Sequence, residues 1–158
     1  MANEHLALAE QVIKFEEGLS LVPYYCTEGY PTIGYGEKIG DKHEVLPELK
    51  WTTTQAQTAL YTKLNSLATE LSKGKTKAAW DSLSKDIDRR AIMLSMAYQL
   101  GDGGLEGFVN TLKGIAEGKW DTASKEMLSS LAARQTPKRW KRQAEAMFTG
   151  NVSKTYKF

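Results

Sequence analysis

Cysteine is almost missing from this 158-residue chain; Cys26 is the only one. An intrachain disulfide framework is therefore excluded, and folding in a reducing compartment is expected. The two histidines, His5 and His43, lack ligand spacing to other donors. No metal site is expected from them, and no cofactor is indicated. Gly34-Tyr35-Gly36 is too short for a phosphate-binding loop. No apolar run is long enough to cross a bilayer. The opening residues, MANEHLALAEQVIKFEEG, contain no basic stretch followed by a long apolar one. They do not read as a signal peptide, so action outside the cytoplasm would need another way out. Internal repeats and low-complexity segments are also lacking.

A hydrophobic content of 41% is that of a globular protein, and the length suits one domain or two small lobes. The formal net charge of +2 hides an uneven distribution. Residues 1–110 carry 11 basic and 15 acidic side chains, whereas residues 111–158 carry 10 and 4. A positive C-terminal portion suits an anionic polymer such as nucleic acid, a membrane surface or cell-wall glycan, or is simply a solvated basic helix.

Apolar residues at helical spacing (Leu6, Leu8, Ala9, Val12, Ile13) predict an N-terminal helix, with Gly18 placed to stop it. From Leu21 to Ile39 tyrosines, Thr32 and Ile33 alternate with glycines, which predicts a small antiparallel meander turning near Thr27-Glu28-Gly29. A loop follows over 40–51. Thr52 and Gln55 form a candidate capping box ahead of a long amphipathic helix, about 53–73. The rest reads as helical. A segment over Asp86–Leu100, apolar on most sides, is expected at the centre of the core and to end at Gly101. Further helices are expected at about 105–116, 119–132 and 136–148, the last with Thr136 as N-cap and Pro137 in its first turn. Trp51, Trp80, Trp120 and Trp140 read as core.

The stretch FEEGLSLVPYYCTEGYPTIGYG holds the chemistry. Glu17, Cys26 and Thr32 are separated by eight and then five residues, and a helix end and two strands can bring them to one cleft. A half-desolvated glutamate at the negative end of a helix dipole favours its protonated form, which suits a general acid. A thiol, if ionised, supplies a facing anion or a nucleophile. A threonine hydroxyl can hold water. An acid, an anion and an oriented water are the parts of glycoside hydrolysis. The competing readings are a solvated charge, a small buried thiol and an ordinary strand residue.

Over nearly its whole length the chain resembles the phage lysozymes of the bacteriophage T4 type. Glu17-Gly18-Leu19, Thr27-Glu28-Gly29-Tyr30 and Thr32-Ile33-Gly34 match their N-terminal lobe. Arg89-Arg90-Ala91-Ile92, Gln99-Leu100-Gly101, Gly107-Phe108, Asn110, Leu112, Trp120-Asp121, Gln135-Thr136-Pro137, Arg139 and Thr149-Gly150 match the helical lobe in order. The inter-lobe section, about 38–50, is shorter than the family's. The resemblance implies an α+β, lysozyme-like fold over residues 1–158. A small mixed lobe (about 15–52) would be joined by a helix (53–73) to an all-helical lobe made of 74–158 and an N-terminal helix over 3–14. It implies a muramidase that hydrolyses the β-1,4 bond between N-acetylmuramic acid and N-acetylglucosamine in peptidoglycan. The expected setting is phage-driven host lysis: a monomer accumulates in the host cytoplasm and passes through a holin to the periplasmic wall. Neither a nucleic-acid partner nor stable membrane insertion is implied.

In that family Glu17 takes the general-acid position and Thr32 the position that orients water or contacts substrate. Cys26 stands where aspartate is common, and Arg139 where an arginine pairs with the catalytic glutamate. Glu28, Tyr98, Gln99, Gly101, Asn110 and Thr111 align with substrate-binding positions in or near the cleft. Gln99 and Asn110 suit the sugars' acetamido groups, and Tyr98 and Tyr35 suit either sugar stacking or core packing. Glu126 replaces a cleft asparagine, which puts that contact in doubt. Glu37 and Lys63 occupy a family ion-pair position with signs exchanged, so a reversed pair is expected. Three roles stay open for Cys26: a thiolate base with inversion, a nucleophile with retention, or a spectator. An ordinary thiol, with pKa about 8.5, is mostly protonated at neutral pH. Two other functions also stay open: a non-catalytic cell-wall binder, and a membrane-perturbing basic helix over Lys138–Phe148.

Overall fold

A computed structural model describes residues 4–158. Helix α1 runs Glu4–Glu17 and buries Leu6, Ala9, Val12 and Ile13, the stripe its spacing predicts. Gly18 follows with φ +70°, and its amide caps the Lys14 carbonyl at 3.1 Å. The expected start at residue 3 lies outside the described residues.

Three antiparallel strands come next, in sheet order β1-β2-β3: β1 Ser20–Tyr25, β2 Pro31–Gly34 and β3 Glu37–Lys38. The β1–β2 turn falls where expected, with Gly29 at φ +87° donating to the Cys26 carbonyl at 2.9 Å. Pairing sets Tyr24 opposite Thr32 and Thr32 opposite Lys38. Residues that adjoin the turn are thereby drawn together around Thr32.

Helix α2, Thr53–Leu71, begins at the complete capping box: Thr52 Oγ1 accepts from the Gln55 amide and Gln55 Oε1 from the Thr52 amide. Its stripe of Ala56, Leu60, Leu64, Leu67 and Leu71 is buried. The helix touches β2 as well as α1 and the central helix, so it fixes the sheet to the helical core. That central helix is α4, Ile87–Leu100, in which Ala91 through Tyr98 are all buried.

On α4 pack α8 (Pro137–Thr149) and the short α9 (Val152–Thr155); α6 (Trp120–Leu128) and α7 (Leu131–Gln135) pack on α8, α5 (Val109–Ala116) on α6, and α3 (Lys77–Ser82) on α5. Two expected helices differ. The one read from residue 105 is a 3₁₀ turn over Gly104–Gly107 before α5 starts, since three glycines at 103, 104 and 107 weaken the α-conformation. The one read over 119–132 is broken in two. Ser130 Oγ accepts from the Ala133 amide at 3.1 Å and so caps a new helix. Thr136 stands at the start of α8 ahead of Pro137, but its hydroxyl does not cap it; it accepts from Gln99 instead.

Trp140 is fully buried and Trp80 nearly so, as expected. Trp51 and Trp120 are only half-buried; Arg89 covers the Trp120 ring at 3.6 Å. The α+β, lysozyme-like class expected from the sequence is the fold observed. Among the described residues no helix is long and apolar enough to cross a membrane.

Candidate active site

Glu17 closes α1, Cys26 directly follows β1 and Thr32 lies in β2, and all three line one cavity of about 750 Å³. Gly18 ends the helix one residue after the glutamate, so Glu17 sits at the rim. Its neighbour Glu16 also reaches the cavity wall but is spent on structure. The Glu16 side chain is 2% exposed; it accepts two hydrogen bonds from Arg142 (2.6 and 3.0 Å) and one from Tyr156 (2.6 Å).

Glu17 Oε2 accepts from Arg139 Nη1 at 2.5 Å, so the expected pair is present. Its other face presses on the backbone of Gly36. A Cβ at Gly36 would lie 2.4 Å from Glu17 Oε1, and φ there is +73°, so both space and conformation call for glycine. Tyr24 lies beside both acids; burial, then Glu17, then Cys26 push its phenol above the ordinary range.

Cys26 is half-buried. Burial raises its pKa. The backbone amides of Tyr30 and Glu28, the Thr32 hydroxyl and the Lys38 ammonium act the other way and win, so the thiol is held below its ordinary value. Thr32 is buried, and its hydroxyl donates to the Tyr30 carbonyl at 2.8 Å. That rotor can turn to the sulfur when the thiolate forms.

Among the remaining expected contacts, Glu28, Tyr98, Gln99 and Gly101 line the cavity. Glu28 lies 3.9 Å from Lys38. Tyr98 is buried, and its hydroxyl lies 2.5 Å from the Tyr35 carbonyl and 3.4 Å from Glu37. It therefore serves as packing and as a donor, not as an open stacking platform. Gln99 Nε2 donates to Thr136 Oγ1 at 2.9 Å, while its buried Oε1 has no partner among the described residues.

Two expectations need correction, the Asn110 and Thr111 contacts and the Glu37–Lys63 pair, while Tyr35 takes the core-packing alternative and the doubted Glu126 contact is not made in the cavity. Asn110 and Thr111 are on α5 and do not line the cavity; Thr111 is 1% exposed, enclosed by the helical core. Tyr35 does not line it either, since its ring packs toward Lys14 and the core. Glu126, on α6, is away from it. Lys63 pairs with Asp102 at 3.5 Å instead of Glu37. Glu37 is left half-buried, and burial outweighs Lys63 and Tyr98 to raise its pKa.

Sequence reasoning missed Gly36, Tyr24 and two lysines of the rim (Lys38, Lys138). Of these only Gly36 left a signal, as one of two glycines flanking a tyrosine after a strand. Among the described residues no group of acids, histidines and the cysteine is arranged to hold a metal.

A carboxyl, a thiol of lowered pKa and a hydroxyl converging on a cavity of this size have the parts a glycoside hydrolase needs, an acid, a facing anion and a holder for water. A profile of the phage lysozyme family matches residues 14–153, and the chain belongs to that family. It is 30% identical to a probable T4-type lysozyme 1 of Dictyostelium discoideum, over 91% of this chain and 95% of that one. A probable T4-type lysozyme 2 of the same organism is 28% identical, over 94% and 97%. The pre-baseplate central spike protein Gp5 of Enterobacteria phage T4 is also 28% identical over 95% of this chain, which spans only 29% of that protein. The enzyme is a lysozyme-like muramidase acting on peptidoglycan.

Proposed function

We propose that the bond cleaved is the β-1,4 linkage from N-acetylmuramic acid to N-acetylglucosamine, with Glu17 as general acid and Cys26 as base. The convergence of Glu17, Cys26 and Thr32 on one cavity carries this reading. Glu17 gives its proton to the leaving oxygen as the C1–O bond breaks. Water attacks C1 and yields a proton to the Cys26 thiolate, with Thr32 holding the water; the anomeric configuration inverts. The lowered thiol pKa favours the base role over the spectator role. In this reading residues 15–52 and the helical remainder work as two lobes of one monomeric unit, closing on the glycan. The family match supports a role in host lysis, the enzyme waiting in the host cytoplasm until a holin opens the path to the wall.

Glu17→Gln is expected to cut hydrolysis of purified Gram-negative peptidoglycan by about a thousandfold, within the range for losing a general acid. Parental turbidity loss by that variant would refute the assignment. Proton NMR of the first product anomer decides inversion against retention. Co-expression with and without a holin tests the export route, since lysis in both cases removes the holin from the account. A cell-wall binder without catalysis would leave the glycan intact, and a membrane-perturbing helix would release dye from anionic vesicles.

A further inference from the structure

Behind the Glu17–Arg139 pair lies a polar layer that the mechanism above does not use. Arg139 is 8% exposed, and Ser95 and Gln143 are 0% exposed. Ser95 is on the central helix α4, whereas Arg139 and Gln143 are one turn apart on α8. Ser95 Oγ donates to Gln143 Oε1 at 2.7 Å. Arg139 Nε is 3.4 Å from the same oxygen, and Nη2 is 3.2 Å from the Ser95 carbonyl and 3.4 Å from its hydroxyl. Nη1 is left to reach Glu17.

We propose that Gln143 is a positioning residue for the reaction: its buried carbonyl oxygen, fixed by Ser95, braces the Arg139 guanidinium so that Nη1 holds the Glu17 carboxyl at the cavity rim. This rests on the reading of Glu17 as the acid.

Stability alone does not account for a glutamine here. Its Nε2 is buried and has no hydrogen-bond partner among the described residues. That unpartnered N–H carries a desolvation cost that a fully apolar layer, with Ser95 and Arg139 also replaced, would not. What glutamine contributes that methionine cannot is an acceptor facing Arg139 Nε. A guanidinium has rigid fork geometry, so fixing Nε and Nη2 fixes where Nη1 points. Three helices that come from distant parts of the chain, α1, α4 and α8, thus set one carboxyl's position through a single side chain.

The test is Gln143→Met, alone and combined with Arg139→Ala. Alone, the substitution should lower kcat on soluble peptidoglycan fragments about tenfold, the scale of one lost buried hydrogen bond, with KM within about twofold. Its melting temperature should fall, because the buried Ser95 hydroxyl and Arg139 Nε lose their acceptor, so kcat is compared well below both transitions. The Arg139 Nε–H signal in ¹⁵N NMR should lose its protection from solvent exchange. In the Arg139→Ala background the same change should have no further effect on kcat, because its only route to the acid is gone. Parental kcat in folded Gln143→Met, or an equal loss in both backgrounds, overturns the proposal. Should Gln143→Met fail to fold, Ser95→Ala is read by the same criteria, with Ser95→Thr expected to restore kcat. If the parent itself leaves peptidoglycan intact, the assigned activity fails, and the NMR signal alone still decides whether the brace exists.

Discussion

Alkylation by iodoacetamide probes Cys26 directly, since it is the only thiol and lines the cavity. Thiolate is the reactive form, and its fraction rises as pH climbs through the group's pKa. Because that pKa is depressed, inactivation should accelerate over a pH range below that of a free thiol. Hydrolysis, if Cys26 is the base, should be lost on the acid side of the same range. Cys26→Asp should shift this acid-side loss to lower pH, while Cys26→Ser should lose about a hundredfold above the thiol's pKa, and progressively less below it, since serine does not ionise. Unchanged activity in Cys26→Ser would make the thiol a spectator. Glu37 gives the opposite sign. Its folded pKa is raised, so its ionisation opposes folding: the penalty is absent below the unfolded pKa and grows as pH rises through the folded one. Glu37→Gln should therefore raise the melting temperature at pH 7 and change it little near pH 4. A third test concerns Gly36→Ala, which adds a methyl group against the Glu17 carboxyl at a left-handed backbone position. A cost of about 1–3 kcal/mol in stability and a loss of activity are expected, both measurable by denaturant melts and turbidity assays.

At the scale of elements, legibility followed the length and regularity of the pattern. The stripe of α2 and its capping box were readable because five apolar residues repeat over 19 and two side chains close a reciprocal cap. Thr52→Ala should cost about 1 kcal/mol, read as a drop in melting temperature without loss of activity. The sheet and its turn were readable from tyrosines punctuated by glycines. Short helices were not. A serine within a continuous polar-apolar pattern, such as Ser130, decides between one helix and two by a single hydrogen bond, and sequence does not reveal which carbonyl its hydroxyl will meet. The site was legible in its acid, thiol, hydroxyl and arginine, because the family resemblance carried their spacing. Thr111 and Asn110 misled because a helix such as α5 presents some residues to the core and others to solvent, and alignment does not say which way each side chain points. The layer of Ser95 and Gln143 was invisible, since partners 48 positions apart meet only once α4 and α8 pack.

Taken whole, the molecule is tied together near its ends. The Glu16 carboxylate at the end of α1 holds Arg142 of α8 and Tyr156 just past α9, so the first helix and the C-terminal helices meet at the cavity wall. Removing the cation leaves a carboxylate that is 2% exposed, so Arg142→Met should cost about 3 kcal/mol, more than Tyr156→Phe. Equal and additive losses in a double-mutant cycle would argue against one shared network. A second tie runs through Arg89, which donates to the carbonyls of Met147 and Phe148 and packs against Gly150.

Two acids side by side, Glu16 and Glu17, have ended in opposite employments. Successive residues on an α-helix are rotated by about 100°, so phase alone decides which carboxyl is locked into the scaffold and which faces Arg139 at the cavity rim. Deleting one residue from α1 would carry Glu17 toward the buried anchor, and inserting one would carry Glu16 toward the cavity, so either change leaves one of the two stations without its carboxyl. Variation in the length of this enzyme is therefore permissible in its connecting loops but forbidden inside its first helix, whose turn count works as a frame of reading.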